Sequence, residues 1–432
     1  MRKDFWVLAL LTVFIFALWY KALFNFFAQD DFILINQFSQ NNFLQNIENV
    51  FGSPIVTHWR PIHNLYFFVS GNIFGKNYFG YHFITFAFHI GASFFIYKTV
   101  QKLTNDFKTA LIAGLIYGAH SAHFISFFWI SGGATTIGFF FLIGSIYCYL
   151  LKKPSVSLML YILALLASEA MIVGIFLFYC INTLIQRKIV FNRSYLIQIT
   201  IISLIFGIVR FFYLTPKVAF DIYRIELSTK IFPAVKYYLL RITGFAETSG
   251  DQINSWILFG WLIVIAMLLV KTWIKKQNVS YLILSIIIII VGLFPFILIP
   301  QHLSPHYMNI SIFGFAIIIG LALKQLKSIT LIAFLIIFLV IAVYNINLTK
   351  NNNWVINRSN LARTYIEQIE VINPSSGTTL VFADNKLSTS KEAYIALGTG
   401  EAIKFWFKDK NYKGCFIFVE SCNISDSFLV EH

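Results

Sequence analysis

Apolar runs of about 20 residues recur through this chain and constrain its fold more than any other feature. "FWVLALLTVFIFALWYKALFNFF" comes first, and "YLILSIIIIIVGLFPFILIP" and "SITLIAFLIIFLVIAVYNI" follow much later. Lipid offers backbone N–H and C=O groups no partner outside their own segment, so such runs read as membrane-spanning helices. Charged residues make up 12% of the sequence, against about a quarter in soluble domains. The chain reads as an α-helical polytopic membrane protein.

The net charge of +14 would suit nucleic acid only if it formed one basic face, and it does not. Lysines and arginines gather in short loops: Arg2/Lys3, Lys98/Lys102/Lys108, Lys152/Lys153, Arg187/Lys188/Arg193, Lys271/Lys275/Lys276 and Lys324/Lys327. These alternate with segments poorer in positive charge, such as 118–133 and 301–307, which is the positive-inside pattern. About eleven spans are expected, near 5–23, 79–98, 109–120, 135–151, 156–168, 170–186, 195–213, 254–270, 279–299, 308–323 and 328–346. The odd count puts the amino terminus in the cytoplasm and the tail outside. "NFFAQD" lacks small residues at cleavage spacing, so the first run is expected to stay as a signal anchor.

Residues 1–346 are expected to form the membrane domain, with long outer segments at about 24–78 and 214–253. From 347 the composition turns polar. "TTLVFAD", "EAYIALGTG", "AIKFWF" and "GCFIFVE" alternate strand-like and helical patterns, so 347–432 is expected to be a small extracytoplasmic α/β unit. Cys148 and Cys180 sit in apolar helices as core residues. Cys415 and Cys422 could pair in an oxidising compartment, which spacing alone leaves open.

Candidate chemistry gathers in the outer segments. Asp30 and Asp31 stand side by side where the first span ends; one carboxylate suits a general base, and an Asp there also suits a helix N-cap. Arg60, in "THWRPIHNLYFF", offers a fork of donors that fits a phosphate, with His58 beside it. Arg210 lies in an apolar span and needs a counterion, either a phosphate or a carboxylate such as Glu169. Glu169 sits in "LLASEAMIV", a dry turn between two spans, as a cap or a site residue. His120 and His123 are three apart, as a metal pair would be, but no Glu or Cys accompanies them. Hydrogen bonding or phosphate contact is expected of them and of His302 and His306. A divalent cation is compatible with these groups; no other cofactor is called for. There is no Walker P-loop, dinucleotide fingerprint, nucleophile elbow or cytosolic domain for a nucleotide-sugar.

The ordered series "QDDFILINQF", "THWRPIHNLYFFVSGNIFGKNYFGYHFITFAFHIG", "ALIAGLIYGAHSAHFISFFWISGG" and "LLASEA" resembles the membrane half of the GT-C glycosyltransferases. Most similar are the transmembrane and tetratricopeptide-repeat O-mannosyltransferases and their bacterial relatives. "NNNWVINRS" resembles a Trp-containing stretch of bacterial members. Ser121, Ile125 and Gly133 depart from the family pattern, and the tail lacks tetratricopeptide repeats.

The resemblance implies a GT-C-like bundle that moves a hexose such as mannose, with inversion, from a polyprenyl-phosphate donor to a hydroxyl on a protein, lipid or glycan. It implies a base at Asp30 or Asp31, Glu169 as the acid of the family's "SKE" turn, and Arg60 and His120 at the donor phosphate. Arg210 and His306 are expected at that phosphate too, with His58, His123 and His302 in support. The rival readings are a lipid-linked oligosaccharide polymerase or ligase, and a flippase or transporter.

Overall fold

Polar residues between the apolar runs set where each helix begins and ends. Asn77 caps α5 (Tyr78–Thr104) and Asp106 caps α6 (Phe107–Ala119). Between those two helices Asn105 takes a left-handed conformation at φ 54°, which asparagine tolerates better than most residues. Prolines at the first turn start α4 (Pro61–Phe74) and α9 (Pro154–Ala167), where the missing N–H costs nothing. The computed structural model describes residues 2–39, 42–52, 58–185, 193–213, 223–245, 279–422 and 427–430, with a few between 263 and 270. The expected span at 254–270, much of 214–253, and Arg187, Lys188, Lys271, Lys275 and Lys276 lie largely or wholly outside the described residues.

The remaining helices are α1 (Arg2–Trp19), α2 (Asp30–Ser39), α3 (Phe43–Phe51), α7 (Phe124–Phe128), α8 (Ala134–Leu150), α10 (Gly174–Ile185), α11 (Arg193–Ile208), α12 (Ile231–Ile242), α13 (Val279–Ile297), α14 (Asn309–Leu323), α15 (Ser328–Asn352), α16 (Trp354–Ile372), α17 (Ser390–Ala396) and α18 (Glu401–Trp406). Among the described residues six helical stretches are long and apolar enough to cross a membrane: Arg2–Phe24, Tyr78–Thr104, Ser131–Leu150, Val279–Ile297, Pro305–Leu323 and Ser328–Asn351. The pair formed by α6 and Ser121–Phe128 is apolar enough together and is bent by 44°, as a broken span or a re-entrant loop would be. Three expected spans correspond to shorter apolar helices, Pro154–Ala167, Glu169–Leu184 and Arg193–Ile208. At 1.5 Å per residue a 14-residue helix such as α9 reaches about 21 Å, short of a hydrocarbon core of about 30 Å. The expected bundle of about eleven membrane helices therefore mixes long members with several short ones, because apolar composition alone does not reveal where a helix breaks.

Every residue of α14 is buried, and α6 and α13 pack along it. By contrast α15 exposes Ile329, Ile332, Ile336, Ile337 and Val340 by more than half each. Such a stripe fits a lipid-facing edge. The chain is a multi-pass integral membrane protein.

Two ion pairs show how the ends are sorted. Lys98 reaches Asp4 at 2.7 Å, and Lys324 reaches Asp106 at 3.3 Å. The amino terminus and the α5–α6 and α14–α15 loops therefore share one basic end. The α1–α2, α6–α8, α9–α10 and α13–α14 junctions lie at the other.

At that other end the segment after the first span holds α2, α3 and α4. The tail is a small α/β unit. Its parallel three-stranded sheet has the order β2 (Lys413–Phe416), β1 (Thr379–Phe382), β3 (Ser427–Leu429). Phe27, Phe32 and Ile35 share one apolar core with Tyr365, Phe382, Ala402 and Phe416, so α2 is packed against the tail. Cys415 and Cys422 are disulfide-bonded.

Candidate active site

The first span ends in "NFFAQDD", and the two acids there have separate surroundings. Asp31 is fully buried. Its Oδ1 accepts from the Ser131 N–H at 2.8 Å and the Ser131 hydroxyl at 2.6 Å, and its Oδ2 accepts from the Ala28 N–H at 3.0 Å. Burial pushes its carboxyl up to about 7, against the hydrogen bonds from Ser131 and Ala28. Asp31 thus pins the start of α2 to the turn before α8. Asp30 instead lines a cavity of about 570 Å³. Burial raises its carboxyl above the ordinary 3.8, opposed by a hydrogen bond from the Gln29 side chain and by the charges of Arg358 and Arg60.

Asp31→Asn is expected to destabilise the fold by about 1–3 kcal/mol, because the new amide would face the Ala28 N–H donor to donor. Thermal unfolding in detergent measures this. An unchanged midpoint would show that the clamp contributes nothing.

Gln29 connects the cavity to the tail. It sits at φ 53°, which is uncommon for a residue with a side chain. Its N–H donates to the Ala396 carbonyl of α17 at 3.0 Å, and Gly398 packs so closely that a Cβ there would lie 2.5 Å from the Gln29 oxygen.

Across the cavity, Arg60 ends the loop before α4. Its Nε donates to Glu169 Oε2 at 2.7 Å and its Nη2 to Oε1 at 3.1 Å. His58 Nδ1 lies 2.7 Å from Oε1. Burial and the nearby Arg60 hold the His58 imidazole below its ordinary range, although Glu169 opposes them. A neutral His58 donating from Nδ1 fits this arrangement. Glu169 does not line the cavity; it anchors two residues that do. Arg210 does not line it either, and its charge acts on it through His58.

The α13–α14 turn supplies His302, Ser304, His306 and Tyr307 to the wall. His306 Nδ1 lies 2.6 Å from Ser304 Oγ, while its carbonyl accepts from Thr135 at 2.9 Å and Asn309 at 3.1 Å. Tyr223 meets His302 edge-on at 4.7 Å and His58 at 5.2 Å.

His120 and His123 are elsewhere. They are buried in the bend after α6, where His120 Nε2 bonds the Ile242 carbonyl of α12 at 3.0 Å. His123 packs between His89 at 4.4 Å and Tyr117 at 4.6 Å. Neither lines the cavity; of the two uses expected of them, His120 shows hydrogen bonding. Their three-residue spacing measured a helical turn and not the direction in which it points.

Arg358 and Trp354 were not expected at the site. Both line the cavity from α16. Arg358 Nη1 bonds Gln29 Oε1, its guanidinium lies 4.8 Å over the Trp354 ring, and Trp354 meets Trp129 at 5.1 Å. The signal available was the four-residue spacing of Trp and Arg directly after the last span. Among the described lining residues Asp30 is the one carboxylate, and Arg60 and Arg358 are the two permanent cations. Among the described residues no three His, Cys, Asp or Glu side chains come together to hold a metal.

No protein-family model matches the chain, and no curated protein does. Among solved structures, the archaeal oligosaccharyltransferase AglB from Archaeoglobus fulgidus, in complex with an inhibitory peptide and a dolichol-phosphate, is similar over 93% of this chain and 63% of its own. The sequence identity is 10% and the TM-score 0.45. A crystal structure of the A. fulgidus oligosaccharyltransferase, tethered through a disulfide to an acceptor peptide containing the NVT sequon, is similar over 96% and 64%, with 10% identity and a TM-score of 0.47. This chain spans less than two thirds of the length of either.

Proposed function

We propose that the protein is a GT-C-type inverting glycosyltransferase that moves a hexose from a polyprenyl-phosphate donor to a hydroxyl acceptor on the non-cytoplasmic face of the membrane. One observation carries the reading: among the described residues a single carboxylate, Asp30, faces a cavity that also holds two guanidinium groups. That cavity is at the end of the bundle opposite the basic loops, which the positive-inside rule assigns to the cytoplasm.

In this reading Asp30 takes the proton of the acceptor hydroxyl. The acceptor oxygen bonds to the anomeric carbon as the bond from that carbon to the phosphate oxygen breaks. Attack from the face opposite the leaving group inverts the configuration. The polyprenyl phosphate departs with the electron pair, and fixed cations stabilise the growing negative charge. The sugar is a hexose such as mannose, and the membrane is a bacterial inner membrane with the amino terminus inside. Residues 1–346 carry the reaction and 347–432 lie outside.

Purified protein given radiolabelled polyprenyl-phosphate hexose with protein, lipid and glycan acceptors tests this directly. Label is expected in one acceptor class. Label that crosses vesicles without forming a glycosidic bond would instead support a flippase.

The pH dependence has a defined sign. A general base works unprotonated, so activity falls as pH drops through its pKa in the folded protein. Burial places that value above 3.8 for Asp30, and the acid limb of kcat/KM is expected above it. A profile that stays flat down into the ordinary carboxylate range would count against Asp30.

A further inference from the structure

Two guanidinium groups line the cavity, and their circumstances differ. Arg60 already gives two nitrogens to Glu169, and His58 touches the same carboxylate. Its charge is neutralised in place, and turning it toward a ligand would leave Glu169 partly buried without its strongest partner. Arg358 forms no ion pair among the described residues. It touches the neutral amide of Gln29 and the face of Trp354, and the charges of Asp30 and Glu392 act on it without an ion-pair contact.

Its plane is nonetheless fixed. Asn353 caps α16 by accepting from the Val355 N–H at 2.9 Å, and this sets Trp354 one residue into the helix. Trp354 rests on Trp129, whose Nε1 donates to the Ala28 carbonyl at 3.3 Å. Gln29 accepts from Arg358 and donates to Asp30, so one side chain sets both the acid and the cation. A guanidinium stacked on an aromatic ring and held at one nitrogen keeps its other donors in a fixed fork. A phosphate is an anion that such a fork fits, as the diester of a lipid-linked sugar or as the monoester left when the sugar departs.

We propose that Arg358, rather than Arg60, takes up the phosphate of the lipid-linked donor and of the departing lipid phosphate. The segment after the last span then completes the active site, and Arg60 serves as a positioning residue that holds the loop before α4. This rests on the transferase reading above. It adds no bond-making step: the phosphate leaves with its electron pair as described, and Arg358 meets the oxygens on which that charge collects.

Binding to the full-length protein in nanodiscs tests the assignment, with radiolabelled polyprenyl phosphate and the matching polyprenol as probes. Wild type is expected to prefer the phosphate, and Arg358→Ala to weaken phosphate binding by about tenfold or more while leaving polyprenol binding unchanged. Arg358→Gln, which keeps a polar side chain of similar reach, is expected to show the same loss, so that misfolding does not account for it. Equal phosphate affinity in wild type and both variants overturns the assignment while leaving the transferase reading intact. No preference for phosphate in wild type sinks the transferase reading and the assignment with it. Inorganic phosphate in excess is expected to leave the lipid bound; displacement at equal concentration would mark a free-phosphate site and overturn the proposal.

Discussion

Asp30→Asn is expected to lower the proposed glycosyl transfer by about 10²–10⁴-fold, the range of a positioned general base, while donor binding and thermal stability stay near wild type. The size follows from the inventory of the cavity, where no second carboxylate among the described residues stands ready to take the proton. Asparagine keeps the shape and a hydrogen-bonding oxygen but cannot accept a proton at neutral pH. Single-turnover rates with labelled donor measure the effect. Asp31→Asn is the matched control: it is expected to lower the unfolding midpoint and to spare most of the rate. Should the two variants exchange these behaviours, the assignment of base and clamp is reversed.

Glu169→Ala is expected to cost about 3 kcal/mol of stability, because it strips the partner from a partly buried Arg60. Exposed pairs contribute much less, about 0–1 kcal/mol, and here the side chains are only 17% and 25% exposed. The double variant Arg60→Leu/Glu169→Leu should recover much of the loss, since two apolar side chains leave no unpaired charge behind. Denaturant unfolding of the two single variants and the double variant gives the coupling energy. Additive effects would show that the pair acts as two separate surface charges. Transfer should fall in Glu169→Ala as well, because the loop carrying His58 and Arg60 loses its anchor.

The membrane class and the order of the helices were legible because hydrocarbon demands long apolar stretches and the basic loops mark their turns. Less legible was where such a stretch breaks. The bend between α6 and α7 depends on packing against α12, which a one-dimensional pattern does not encode. At the site, the sequence marked the "QDD" pair without separating base from clamp. Which side chain faces the cavity depends on Ser131, a residue 100 positions away. Glu169 was visible as an acid in a dry turn, yet its partner proved to be Arg60 rather than Arg210, since the junction of α9 and α10 meets the loop before α4. Arg358 went unnoticed as a site residue for a related reason. Its role comes from stacking on Trp354 and bonding to Gln29, and the latter contact spans 329 positions.

The contact between Gln29 and Arg358 also bears on how the protein comes into being. The chain is made from its amino terminus, so the acid, the α4 loop and the histidine wall reach the bilayer before α16 has been synthesised. During that interval an unfinished chain has its proton acceptor but lacks the tail that holds Gln29 in place. On the proposed function, competence would arrive late, when the helix that follows the last span closes against the turn before α2.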